Sequence, residues 1–99
     1  MPEKAVKLRS SRNVYEEKNR RCKIEIVLEV LEIAKHGTNK TRIIYGANLN
    51  FKKATAIIEE IISLGLLSVE RVDGRVVYRT TEKGMNLLRV GYELLSHFE

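Results

Sequence analysis

The sequence predicts a mainly helical α+β domain in which three helices, a β-hairpin and a fourth helix follow one another. Three observations carry this. Apolar residues recur at intervals of three and four in four separate segments. Gly37, Gly46 and Gly65 punctuate the ends of the first three. Between Leu67 and Arg79 the period changes to two, around an Asp73-Gly74 pair that suits a two-residue hairpin turn.

The first helix is expected to begin at Val14 or Asn19 and to run to His36, with Gly37 as its stop. Glu25, Glu29 and Glu32 form one polar stripe, and Ile24, Ile26, Val27, Leu28, Val30, Leu31, Ile33 and Ala34 cover about 220° of the circumference. So wide an apolar face calls for a partner beyond the chain. The second helix starts near Asn39 or Lys40, with Thr38 or Asn39 as cap, and Ile43, Ile44 and Ala47 face inward. Gly46-Ala47-Asn48 breaks it. Asn50 caps the third helix, which ends at Leu64-Gly65 and turns Phe51, Ala54, Ile58, Ile61 and Ile62 inward.

The strands follow as Leu67–Val72 and Val76–Arg79. Thr80-Thr81-Glu82 opens the fourth helix with a hydroxyl cap and an acid, and the helix runs to about Phe98. Met85, Leu88, Tyr92 and Leu95 make one apolar stripe, and Leu87, Val90, Leu94 and Phe98 a second. One stripe suffices to pack on the rest of the domain. The second predicts a homodimer, with Gly91 as a point of close backbone approach.

Charge is unevenly placed. The chain carries a net +5, and residues 1–23 hold eight Lys/Arg against three Glu, so the whole excess sits there. The first thirteen residues show no helical or strand period and read as a flexible basic arm. Between Glu32 and Glu59 no acid occurs, yet Lys35, Lys40, Arg42, Lys52 and Lys53 do. Such a stretch is the expected footprint of a polyanion, because a carboxylate there would repel phosphate. Glu59 and Glu60 limit the approach to the first two turns of the third helix, where the backbone dipole also favours an anion.

A helix, a tight turn, a second helix with a basic leading end and then a hairpin make a winged helix-turn-helix. Its expected DNA contacts are Lys40, Arg42, Asn50, Lys52, Lys53, Thr55 and Ala56, with Arg71 and Arg75 on the wing. The expected dimer contacts are Met85, Leu88, Gly91, Tyr92, Leu95 and Phe98. Tyr45 reads either as a stacking group at the DNA backbone or, with more weight, as packed on the third helix. An alternative function is protein association alone, for which Glu59, Glu60, Glu70 and Asp73 near the same face argue.

Other classes find little support. His36 and His97 are solitary, Cys22 has no partner of recognised spacing, and no glycine-rich phosphate loop is present. No catalytic residue, metal ligand or cofactor is assigned. A single cysteine and the lack of a long apolar run point to the cytoplasm. The absence of Gln and Trp beside frequent Ile, Glu, Lys and Arg suits a thermophile.

Several segments carry a family resemblance. They are Cys22-Lys23-Ile24-Glu25-Ile26-Val27, Thr41-Arg42-Ile43-Ile44-Tyr45, Ala47-Asn48-Leu49-Asn50-Phe51-Lys52, Leu64-Gly65-Leu66-Leu67 and Thr81-Glu82-Lys83-Gly84. Over about residues 20–98 the chain resembles the small archaeal winged-helix DNA-binding proteins. The resemblance implies homodimers joined by C-terminal helices in an antiparallel coiled coil, acting as chromatin-associated proteins or transcription regulators at the nucleoid. A virus-encoded relative, working in its host's cytoplasm, shares the pattern. This chain departs in its short fourth helix, in Gly46 and in its long basic arm. The expected division is an arm over 1–13, a winged helix-turn-helix domain over 14–80 and a dimerisation helix over 81–99.

Overall fold

A computed structural model describes residues 22–98. Its elements are α1 (Lys23–Ile33), α2 (Lys40–Gly46), α3 (Phe51–Ser63), β1 (Leu67–Val72), β2 (Arg75–Thr80) and α4 (Glu82–Ser96). The basic arm expected over 1–13 lies outside the described residues. The expected start of the first helix is corrected. Cys22 is extended and its N–H donates to the Glu25 carboxylate at 3.2 Å, so α1 starts at Lys23, while the expected starts at Val14 or Asn19 lie outside the described residues.

The core is built around α1. Ile26, Val27, Leu28, Val30, Leu31 and Ala34 are all buried, against α2 on one side, α4 on another and β2 on a third. This overturns the expectation that the wide apolar face of the first helix needs a second chain. The helix is a central pillar rather than a surface helix, and only Ile24 among its large apolar residues is exposed.

Local chemistry sets the boundaries. Asn39 caps α2 by accepting the Arg42 N–H at 2.8 Å, and Asn50 caps α3 by accepting the Lys53 N–H at 2.7 Å. Between them Asn48 takes the left-handed conformation (φ 56°), which an asparagine tolerates better than most residues and which turns the chain sharply. At the end of α3, Gly65 (φ 78°) donates to Ile62 and Leu66 donates to Ile61, each at 2.9 Å. This paired closure satisfies two terminal carbonyls and buries Leu66. The inward face of α3 is Ala54, Ile57, Ile58 and Ile61. Phe51 was expected there but is 65% exposed, because the first position of the helix projects beyond the core; Ile57 fills the place.

The hairpin pairs Val72 with Arg75 across a turn in which Asp73 and Gly74 both have positive φ, the type I′ geometry that matches strand twist. Thr38 adds a short third strand position, exchanging two backbone hydrogen bonds with Tyr78 at 2.9 and 2.8 Å. The base of the hairpin is fixed by Thr80. Its buried hydroxyl donates to the Leu31 carbonyl at 2.6 Å and its N–H donates to Ala34 at 3.0 Å. Thr81 caps α4 by accepting the Gly84 N–H at 3.0 Å and donates its hydroxyl to Gly65 at 2.7 Å.

Two expected dimer contacts belong to the chain's own core. Leu88 is buried at 3% exposure, and a Cβ on Gly91 would lie 2.8 Å from Leu28 Cδ1, so the close approach at Gly91 is to α1. Beyond Leu88, α4 emerges from the core. Tyr92 is tied back to α1 by its hydroxyl, which donates to Glu32 Oε1 at 2.6 Å. That bond, with some burial, pushes the Tyr92 phenol up to about 12, and the same bond, with a smaller contribution from Lys35, lowers the Glu32 carboxyl. A phenol held protonated in the folded chain contributes its stability fully below its ordinary value of 10.0 and loses it as pH rises toward about 12. The stability gap between the native chain and Tyr92→Phe is therefore expected to close across that window. Urea denaturation at both ends of it checks this, and a gap of constant width would mean that the bond is not formed.

Candidate nucleic-acid interface

The acid-free stretch folds into α2, the turn and the first half of α3. Lys52, Lys53 and Ala56 are exposed on one side of α3, and Arg42 is exposed on α2. Lys40 reaches across the turn and lies 4.4 Å from the centroid of the Phe51 ring. This cation–π contact explains what holds the exposed ring and steadies the turn between the helices. Tyr45 is 80% exposed, which corrects the expectation that it packs on the third helix. It projects because Ile43 and Ala47, on the opposite face of α2, fill the core.

Two polar residues expected to contact DNA have engagements of their own. The Asn50 side-chain oxygen receives the Lys53 N–H, and the Thr55 hydroxyl donates to the Phe51 carbonyl at 2.9 Å. Their first role is to shape the leading turn of α3 that presents Lys52 and Lys53. Arg71 and Arg75 flank the hairpin tip and are exposed. Arg71 stands opposite Val76 and Arg75 opposite Val72, so alternation puts the two guanidinium groups on opposite faces of the wing.

The acids near this face are partly matched by cations. Lys23 binds Glu60 at 2.8 Å and Arg79 Nε binds Glu70 at 3.1 Å. Exposed pairs add little stability. Each pair sets a positive charge beside an acid near the basic surface, at the expense of one cation. This weakens the case for a purely protein-binding face that the acids had suggested. Among the described residues, no group of three His, Cys, Asp or Glu is gathered in a way that could hold a metal ion. Nor is any helix among the described residues long and apolar enough to cross a membrane.

The Phe51–Lys40 contact and the Thr38 strand position were not anticipated. A Thr between Gly37 and Asn39 carries a faint β signal, but a single bridge has no period to detect.

The architecture and the residues it presents now bear comparison with known proteins. The family model described as winged helix-turn-helix matches residues 20–97. The chain belongs to the winged helix-turn-helix family. An uncharacterised protein of Methanocaldococcus jannaschii is 35% identical over 76 residues, which cover 76% of this chain and 74% of that protein. Sso10a-2, a DNA-binding protein from Sulfolobus solfataricus, superposes with a TM-score of 0.71 at 29% identity, covering 77% of this chain and 80% of that one. F93 from STIV, a winged-helix DNA-binding protein, shares the fold with a TM-score of 0.63 at 23% identity, over 77% of this chain and 91% of that one. As a winged helix-turn-helix, the chain uses α2 and α3 as the two helices of the motif and β1–β2 as the wing.

Proposed function

We propose that this winged helix is a dimeric DNA-binding protein, a transcription regulator or an architectural chromatin protein, acting wherever its DNA lies, at the nucleoid or in a viral host's cytoplasm. The observation that carries the reading is the leading end of α3. Lys52 and Lys53 are exposed there, Lys40 and Arg42 stand on the neighbouring α2, and no acid interrupts the sequence between Glu32 and Glu59. Recognition by this motif places that end of the second helix against the base edges, and surrounding cations hold phosphates. The DNA relatives named above support it, Sso10a-2 most directly. The alternative reading, protein association without DNA, draws on the exposed Glu59 and Asp73 and on Glu60 and Glu70, which are paired with Lys23 and Arg79.

Fluorescence anisotropy on a duplex at several salt concentrations tests the proposal. The affinity is expected to fall steeply with salt, with a logarithmic slope of about −0.9 for each phosphate neutralised. Absence of binding at low salt would leave the association reading in its place. The arm over residues 1–13 adds Lys4, Lys7, Arg9 and Arg12 to this charge, and its deletion is the matching control for a non-specific contribution.

The dimer reading rests on the outer half of α4. Val90, Leu94, Leu95 and Phe98 are exposed, Leu94 at 59%, and Met85 adds to the same helix. A helix that emerges from the core with its apolar residues uncovered suits an isologous contact between two copies. Sedimentation at micromolar concentration is expected to give twice the chain mass of 11.4 kDa. Leu94→Glu is expected to give the monomer without loss of fold, since Leu94 leaves the core intact; a native chain that sediments as a monomer removes the proposal.

A further inference from the structure

A second cationic feature lies apart from the leading end of α3. The loop after α1, the first turn of α2 and one face of the wing enclose a cleft of about 420 Å³. His36, Thr38, Arg42, Arg75 and Arg79 line it together with Gly37, and no carboxylate does. Arg75 and Arg79 stand on the same face of β2, four residues and so about 13 Å apart, and Arg42 faces them from α2. Arg42 and Arg75 bring positive charge to this cleft beside Arg79, which Glu70 already pairs at 3.1 Å, and an oxyanion there would accept guanidinium N–H groups.

One detail shows that the cleft is shaped rather than a chance of surface charge. The Arg79 Nε–H is directed by Glu70 at 3.1 Å, and its terminal nitrogens lie against the backbone of Gly37, where a Cβ would stand 3.1 Å from one of them. Gly37 also has φ 93°, a conformation that other residues rarely adopt, so glycine serves both the turn and the seat of the guanidinium. The edge of β2 adds one donor more. Tyr78 spends its N–H on Thr38, and Val76, two residues away on the same edge, has its N–H directed to the same side, at the cleft.

We propose that this cleft is an oxyanion site that takes a single phosphate group, either a phosphodiester of the DNA backbone or free inorganic phosphate. Only the first source rests on the DNA-binding reading. Arg42 and Arg75 fork onto the phosphate oxygens, Arg79 closes the third side, and Glu70 acts as a positioning residue through Arg79. In the DNA-bound state the site fixes the duplex between α2 and the wing, and free phosphate competes with the duplex for it.

Nuclear magnetic resonance of the ¹⁵N-labelled full chain tests the site with inorganic phosphate as probe, against potassium chloride at equal ionic strength. The amides of Gly37, Thr38, Asn39 and Val76 are expected to shift and saturate, and Arg42→Gln or Arg79→Gln to weaken the apparent affinity about tenfold, the worth of one charge-assisted contact. Both substitutions are at exposed positions and keep the fold, which the rest of the spectrum reports. A second titration uses a short duplex, with binding followed independently by anisotropy. Movement of the same amides with duplex identifies the backbone as a source, and movement with phosphate alone identifies free phosphate. If neither titrant moves them while the duplex still binds, the cleft is not an oxyanion site and the DNA reading stands. If phosphate saturates the cleft and no duplex binds, the site stands and the DNA reading falls.

Discussion

Gly84→Ala is expected to destabilise this protein by about 3 kcal/mol, the upper part of the range for forcing a methyl group into a packed core. A Cβ at this position would collide with the Leu66 carbonyl oxygen and stand 2.7 Å from Thr80 Cγ2. Neither neighbour can yield. The Leu66 carbonyl accepts the Thr81 N–H at 3.0 Å, and Thr80 is fixed by its hydrogen bonds to Leu31 and Ala34. The collision therefore strikes the junction where α3, both ends of the hairpin and the start of α4 meet. For a domain of this size each kcal/mol moves the melting temperature by about 4–8 °C, so a fall of about 12–24 °C is expected by circular dichroism. Gly91→Ala provides the contrast. There the three atoms nearest the new methyl group all belong to the Leu28 side chain, its Cδ1 at 2.8 Å, rather than to backbone, and alanine recovers up to about 1 kcal/mol of helix propensity. A Gly84→Ala melting curve within two or three degrees of the native one would mean that α4 is seated more loosely than described.

The contrast between the two glycines shows what a sequence can and cannot convey. Both stand within an amphipathic helical pattern, and the pattern does not say which neighbour approaches. Gly91 looked like the contact point of a second chain and Gly84 like one more residue of a family-like segment; their partners, Leu28 and Leu66, are fixed only by tertiary packing. The same holds for α1. Its wide apolar face was legible, but whether a second molecule or the chain itself covers it depends on how many elements pack around it. Features set by neighbours in sequence were read well. The caps at Asn39, Asn50 and Thr81, the stop at Gly65 and the Asp73-Gly74 turn each follow from local hydrogen bonding and backbone freedom. At the candidate interface the charges were legible because the absence of acids is a property of sequence. The exposure of Tyr45 and Phe51 was not, since two aromatic residues among apolar neighbours satisfy a core pattern as well as a surface one.

Loss of the two lysines on α3 is expected to alter DNA recognition in kind, and loss of the wing arginines only in degree. Lys52 and Lys53 are exposed on the first turn of α3, where the Asn50 side chain caps the backbone. Side chains at that end of a recognition helix reach base edges, and a lysine against guanine discriminates by about 1–3 kcal/mol, or roughly five- to 150-fold. Lys52→Ala or Lys53→Ala is therefore expected to remove most of any preference for a specific duplex over a random one. Arg71 and Arg75 lie on opposite faces of the wing, so they cannot both address the same base step, and phosphate contact is the role open to each. Arg75→Ala is expected to weaken both duplexes by a similar factor and to lower the salt slope by about one phosphate. Competition binding with both duplexes at fixed salt separates these outcomes. If Arg75→Ala abolishes the preference while the lysine variants keep it, the wing reads sequence and α3 positions the complex. Variants that leave affinity and preference alike unchanged at moderate salt would remove DNA from the account, because these side chains are where its phosphates and bases have to meet the protein.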